Sequence, residues 1–156
     1  MADSGNRTSW DVVPRLGELT MHTSRVGLVS VSGKAPFVGG KLEVAEAPTL
    51  DLQTALSEFS TGKGILDRSV AGIISKHSDG ILRFNGQANS ADDLTFVGNA
   101  VCGTIDIPIS LTCHWFSDDA LTVDGMATFT DLHLPIPGFG NVKKLDLTLG
   151  GQFHVS

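Results

Sequence analysis

The sequence predicts an all-β fold: an antiparallel β-barrel of about 8 strands with one or two short helices. Three observations predict it. Apolar and polar residues alternate over long runs, turn-forming residues punctuate those runs, and glycine (18 of 156 residues) recurs inside the runs as well as between them. Glycines such as Gly86, Gly98, Gly103, Gly125 and Gly151 let a sheet coil or bulge, which closure requires. A two-sheet β-sandwich shows the same in-out pattern and stands as the alternative.

In chain order, residues 1–8 are polar throughout and read as a disordered tail, leaving 9–156 as a single domain. Short strands are expected at 9–13, 19–24, 26–31 and 41–47, with a turn at Gly39-Gly40. Leu50, Leu52, Thr54 and Leu56 alternate with Asp51, Gln53 and Ala55, the period of a half-buried strand. Residues 64–76 differ. Ile65, Leu66, Val70, Ile73 and Ile74 recur at helical spacing, one face of about three turns. Strands follow at 81–88 and 94–102, separated by Asn89-Ser90. The longest run is Ile105, Ile107, Ile109, Leu111, Cys113 and Trp115, interrupted only by polar residues and by Pro108, which cannot donate to a ladder. After Ser117-Asp118-Asp119 comes a strand with Leu121, Val123, Gly125, Ala127 and Phe129 in phase. A helical turn is expected at 130–134, then a turn at Pro137-Gly138-Phe139-Gly140. Leu145, Leu147, Leu149, Gly151, Phe153 and Val155 define the last strand.

Composition narrows the function. Apolar residues make up 41% and charged residues 18%, enough to bury a sizeable core. Seventeen acidic against eleven basic side chains give a formal charge of -6. That excludes a nucleic-acid groove, which needs a basic stripe, and simple electrostatic docking on anionic lipid. No run approaches the roughly 18 apolar residues of a membrane span, and no basic start leads into the apolar run of a secretory signal. The expectation is a cytoplasmic protein, or a periplasmic or secreted one if a signal was removed. Cys102 and Cys113 are spaced as neither a metal pair nor a redox pair and read as reduced, buried thiols.

Catalytic constellations are not found. The sequence holds no nucleophile elbow, zincin helix or Walker loop. The five histidines are scattered, and His22, His114 and His154 fall on polar strand faces. Asp92-Asp93 and Asp118-Asp119 sit between strands, where aspartate favours turns. The protein is therefore expected to be no enzyme, to use no cofactor and to bind no metal. What remains is the inward apolar face. An eight-stranded barrel is wide enough either to be filled by its own side chains or to hold one small ligand. The face is rich in Ile and Leu and poor in polar groups, so an apolar chain is the ligand it suits. At about 0.8 kcal/mol per buried methylene, a five-carbon isoprene unit contributes up to about 4 kcal/mol.

The order of several short motifs carries a family resemblance. Trp10 precedes Pro14; Ser60-Thr61-Gly62 is followed by Asp67 at the start of the expected helix; Ile81-Leu82-Arg83-Phe84 follows it; and Gly98, Pro108 and Leu111 keep a hairpin spacing. From Trp10 to Val155 the chain resembles the YceI-like family of bacterial isoprenoid-binding proteins. Arg68-Ser69-Val70-Ala71-Gly72-Ile73-Ile74 departs from the family's pattern in the helix, and the segment before Phe84 is two residues short. The resemblance implies an extended, lipocalin-like antiparallel barrel enclosing an apolar tunnel for a polyisoprenoid or isoprenoid quinone, bound, stored or carried without catalysis. The competing functions are a small barrel enzyme for a hydrophobic substrate, with Asp67 at the mouth, and a filled-core partner-binding domain; a homodimer is left open. From inward phase, the expected tunnel lining is Trp10, Ile105, Ile107, Ile109, Leu111, Trp115, Val123, Phe129, Leu147, Leu149 and Phe153, with Ile73, Ile74 and Phe84 at one end.

Overall fold

The structure, a computed structural model, describes residues 8–23, 32–60, 79–103, 105–134 and 140–156. Nine strands follow in chain order: β1 Ser9–Asp11, β2 Glu18–Thr23, β3 Ser32–Glu43, β4 Thr49–Ala55, β5 Ile81–Gln87, β6 Thr95–Cys102, β7 Ile105–Ser117, β8 Ala120–Leu134 and β9 Gly140–His154. They form one antiparallel sheet in the order β1-β3-β2-β9-β8-β7-β6-β5-β4, and β3 also pairs with β4. That last pairing closes β2 to β9 into an eight-stranded barrel, with β1 continuing the β2 side of β3. Closure gives each strand a partner on both edges, which removes the exposed edges a sandwich would keep. The sandwich alternative is excluded.

Two sequence expectations are corrected. Gly39-Gly40 does not turn the chain: β3 runs through it as a bulge, its register shifting between Phe37 and Gly39. Two glycines permit a bulge as readily as a turn, and the β1 and β4 ladders on either side keep the strand extended. Gly40 has φ 141°, and a Cβ there would stand 2.2 Å from the Asp51 carbonyl oxygen. Residues 130–134 are likewise not helical; they are the end of β8, with Leu132 opposite Val142 and Leu134 opposite Gly140. So short a segment satisfies either period, and the β9 ladder decides it. A single 3-10 turn at Leu56–Glu58 follows β4. The expected strand at 26–31, the helix at 64–76 and residues 1–7 of the tail lie outside the described residues.

The barrel has two unlike ends. At one, here the turn end, β3–β4, β5–β6 and β7–β8 are joined by short connections, and Val12 bridges Val155. At the other, the far end, lie Thr23 and Ser32, Ala55 and Ile81, Cys102 and Ile105, and Leu134 and Gly140. A bidentate ion pair crosses the outside of the wall: Arg15 donates to both Glu58 carboxylate oxygens at 2.7 and 2.8 Å. That contact holds the Glu58 carboxyl below its usual range.

Candidate functional site

The inward positions form a graded interior. Near the turn end, Leu42, Leu50, Phe96, Leu121, Val123 and Phe153 are 0% exposed. At mid-barrel, Leu19, Phe84, Ile109 and Leu149 are 5–6% exposed. Towards the far end, Met21, Leu82, Ile107 and Leu147 belong to the same cluster and are only partly buried. The packed end is floored by aromatics, with the Phe37 and Phe153 rings 5.7 Å apart and edge-on at 68°.

Inward glycines do not leave this interior hollow, because neighbouring side chains fill the space. A Cβ at Gly86 would stand 2.4 Å from the tip of the Phe84 ring, so that ring occupies the space over the glycine. Gly151 combines φ 146° with a backbone approach that would bring a Cβ within 2.2 Å of the Glu18 carbonyl oxygen. Only glycine fits there. Among the described residues, mid-barrel side chains border a void of about 30 Å³. That is about the share of one water molecule, and far less than an isoprene unit needs.

Of the residues expected to line a tunnel, Phe84, Ile109, Leu111 and Leu149 border this void. Ile107 and Leu147 pack beyond it towards the far end. Val123 and Phe153 point inward as expected but lie in the packed floor rather than along the void. Trp115 is corrected more sharply: it is 42% exposed and packs edge-on against Trp10, with ring centroids 5.3 Å apart, closing the turn end. β7 runs past the rim of the barrel here, so inward phase no longer means interior. Ile73 and Ile74 lie outside the described residues, as do the side chains of Ile105 and Phe129.

Six further residues border the void: Leu19, Phe37, Leu52, Thr54, Leu82 and Ala100. Leu52 and Thr54 stand in the alternating run already visible in the sequence. Phe37 is hidden from a sequence-based reading by the bulge at Gly39-Gly40. Among the described residues, Thr54 is the one buried polar side chain outside the thiols. Both cysteines are free and buried. Burial, with a smaller push from Asp124, raises the Cys113 thiol to about 12, which keeps it protonated and inert. The described interior holds no carboxylate, imidazole or amine. Among the described residues no group of three or more His, Cys, Asp or Glu side chains is placed to hold a metal ion. Asp67, on which the enzyme alternative rested, lies outside the described residues.

No family model matches the chain, and no curated protein matches it. A solved structure does: a polyisoprenoid binding domain from Saccharophagus degradans implicated in plant cell wall breakdown, with TM-score 0.67 and 9% identity. The match covers 96% of this chain and 100% of that one. The two share a fold. A shared barrel at 9% identity fixes the architecture of the interior and leaves its contents to this chain's own residues.

Proposed function

We propose that the barrel binds the apolar chain of an isoprenoid lipid, a polyisoprenoid or an isoprenoid quinone, and that the protein is a divergent YceI-like carrier or store. The graded interior carries this reading. Inward aliphatic side chains at the far end keep solvent exposure that the same phase does not have at the turn end, and a chain entering there would cover it. The bound chain would displace side chains around the mid-barrel void and end against the floor of Phe96 and Phe153. Fold likeness to a polyisoprenoid binding domain supports the same reading. No step of catalysis is assigned.

The size of the void, about 30 Å³, favours a second reading: a filled barrel that acts through its surface. Native mass spectrometry of the purified protein with added isoprenoid quinone separates them. A one-to-one adduct that resists dilution and protects Ile107 and Leu147 from solvent is expected for the carrier. A clean apo mass at every quinone concentration would leave the filled barrel.

A further inference from the structure

The turn end carries a second feature that the barrel's contents do not explain. In the β7–β8 hairpin Trp115 faces Leu121 and Ser117 faces Ala120, so β7 spends two steps where β8 spends one. Phe116 is the extra residue of this bulge, and it is 68% exposed beside the 42% exposed Trp115. Bulges re-aim side chains, and this one presents two consecutive aromatic rings at the surface. With Trp10, Ser117 and Asp118 they line an open cleft of about 430 Å³.

The chemistry around the cleft selects its occupant. All three connections at this end carry exposed carboxylates: Glu46 at β3–β4, where Glu43 ends β3, Asp92 and Asp93 at β5–β6, and Asp118 and Asp119 at β7–β8. Lys41 pairs with Glu43 at 3.2 Å, and no ion pair is found for the other five among the described residues. On the wall and at the far end, Glu18 pairs with Lys34, Glu58 with Arg15 and Asp79 with Arg83, while Asp51 and Asp106 accept hydrogen bonds from Asn85 and Asn99. An exposed aromatic pair is the usual anchor of a protein interface. A surface rich in exposed carboxylates steers a basic partner towards it and repels anionic lipid.

We propose that the turn end is a docking surface for a basic, partly apolar segment of a partner protein. Trp115 and Phe116 are its anchors, and the carboxylates of the three turns complement its charge. The proposal is independent of what the barrel holds. The chain's two tryptophans, Trp10 and Trp115, both line the cleft, so intrinsic fluorescence reads this site alone.

The test titrates the full chain with three synthetic peptides of equal length, alternating lysine with leucine, lysine with serine, and glutamate with leucine. The lysine–leucine peptide is expected to shift the emission, to weaken as salt rises, and to bind tightest of the three. Phe116→Ser should weaken it about tenfold, and Asp118→Asn with Asp119→Asn should weaken it by a smaller factor. Glu18→Gln, on the barrel wall, should leave it unchanged. Phe116 is exposed, so its variant keeps the fold, checked by an unchanged thermal midpoint. Equal binding of the lysine–serine and lysine–leucine peptides would overturn the proposal, as would indifference to Phe116→Ser. A response to phosphatidylcholine vesicles without one to any peptide would replace the protein partner with a membrane. A dimer in sedimentation that Phe116→Ser dissociates would replace it with a second copy of this chain.

Discussion

Strands of the same period meet opposite fates at the two ends of the barrel. At the turn end, Leu42, Leu50, Leu121, Val123 and Phe153 have no exposure, and Trp10 packs on Trp115 across the opening. At the far end, Met21, Leu82, Ile107 and Leu147 occupy the same inward phase and stay partly exposed. The difference is one of depth. Alternation says which face a residue takes, whereas closure and the short connections decide how many neighbours cover it. On the proposed reading, an apolar chain enters from the looser end and stops against the packed one.

The largest expected effect tests the packed end. Phe153→Ala should cost about 3–5 kcal/mol in urea unfolding, because a fully buried ring leaves a cavity the floor cannot fill. Ile107→Ala, already partly exposed, should cost less, about 1–2 kcal/mol. Equal costs would remove the gradient. Next comes Ile107→Arg. The guanidinium can run its stem along the wall and reach water at the far end, so the protein should fold. Isoprenoid quinone uptake, read by native mass spectrometry, should fall at least about tenfold. A folded variant that loads normally would show that no chain passes this position.

Chemistry gives a smaller effect in the packed core. With its thiol near 12, Cys113 should carry about one part in 10⁴ thiolate at pH 8 and resist iodoacetamide until the protein unfolds. Because the folded value lies above the unfolded one, this contribution to stability is complete at neutral pH. It declines as pH rises past about 8.5, where the unfolded thiol ionises. Rapid alkylation of the native protein would place Cys113 outside the core. The smallest effect lies on the wall. Arg15→Gln should raise the Glu58 carboxyl back into the ordinary glutamate range in an NMR titration. The sign follows from the lowered value: the pair contributes above the unfolded carboxyl range and fades as pH falls through the folded one. Both partners are exposed, so that contribution is small and the urea midpoint at neutral pH should fall only slightly.

Much of the barrel was legible beforehand. The Ile105-to-Trp115 and Leu145-to-Val155 runs place β7 and β9 and their inward faces, because a period of two survives in any half-buried strand. The turns at Asn89-Ser90 and Asp118-Asp119 were legible through aspartate and asparagine chemistry. Elsewhere local chemistry was ambiguous. Gly39-Gly40 fits a turn or a bulge, and 130–134 fits either period, so partner strands decided both. The candidate site was legible by face rather than by depth. Phe84, Ile109, Leu111 and Leu149 reach the void, Val123 and Phe153 fall below it, and Trp115 falls outside. Phe37 and Ala100 come to the void through pairings with no local signature, whereas Leu52 belongs to an alternating run.

By itself the sequence determined that the chain is all-β, which residues alternate inward, and that no charged group belongs to the inward face of the long strands. Those properties follow from local spacing and from the cost of burying charge. Only the tertiary structure decided that β3 closes on β4 and that the interior is packed at one end and looser at the other. It alone set the bulge that turns Phe116 out beside an acidic rim. Depth, closure and bulge placement depend on which strands meet and in what register, and neighbours far apart in the chain set those.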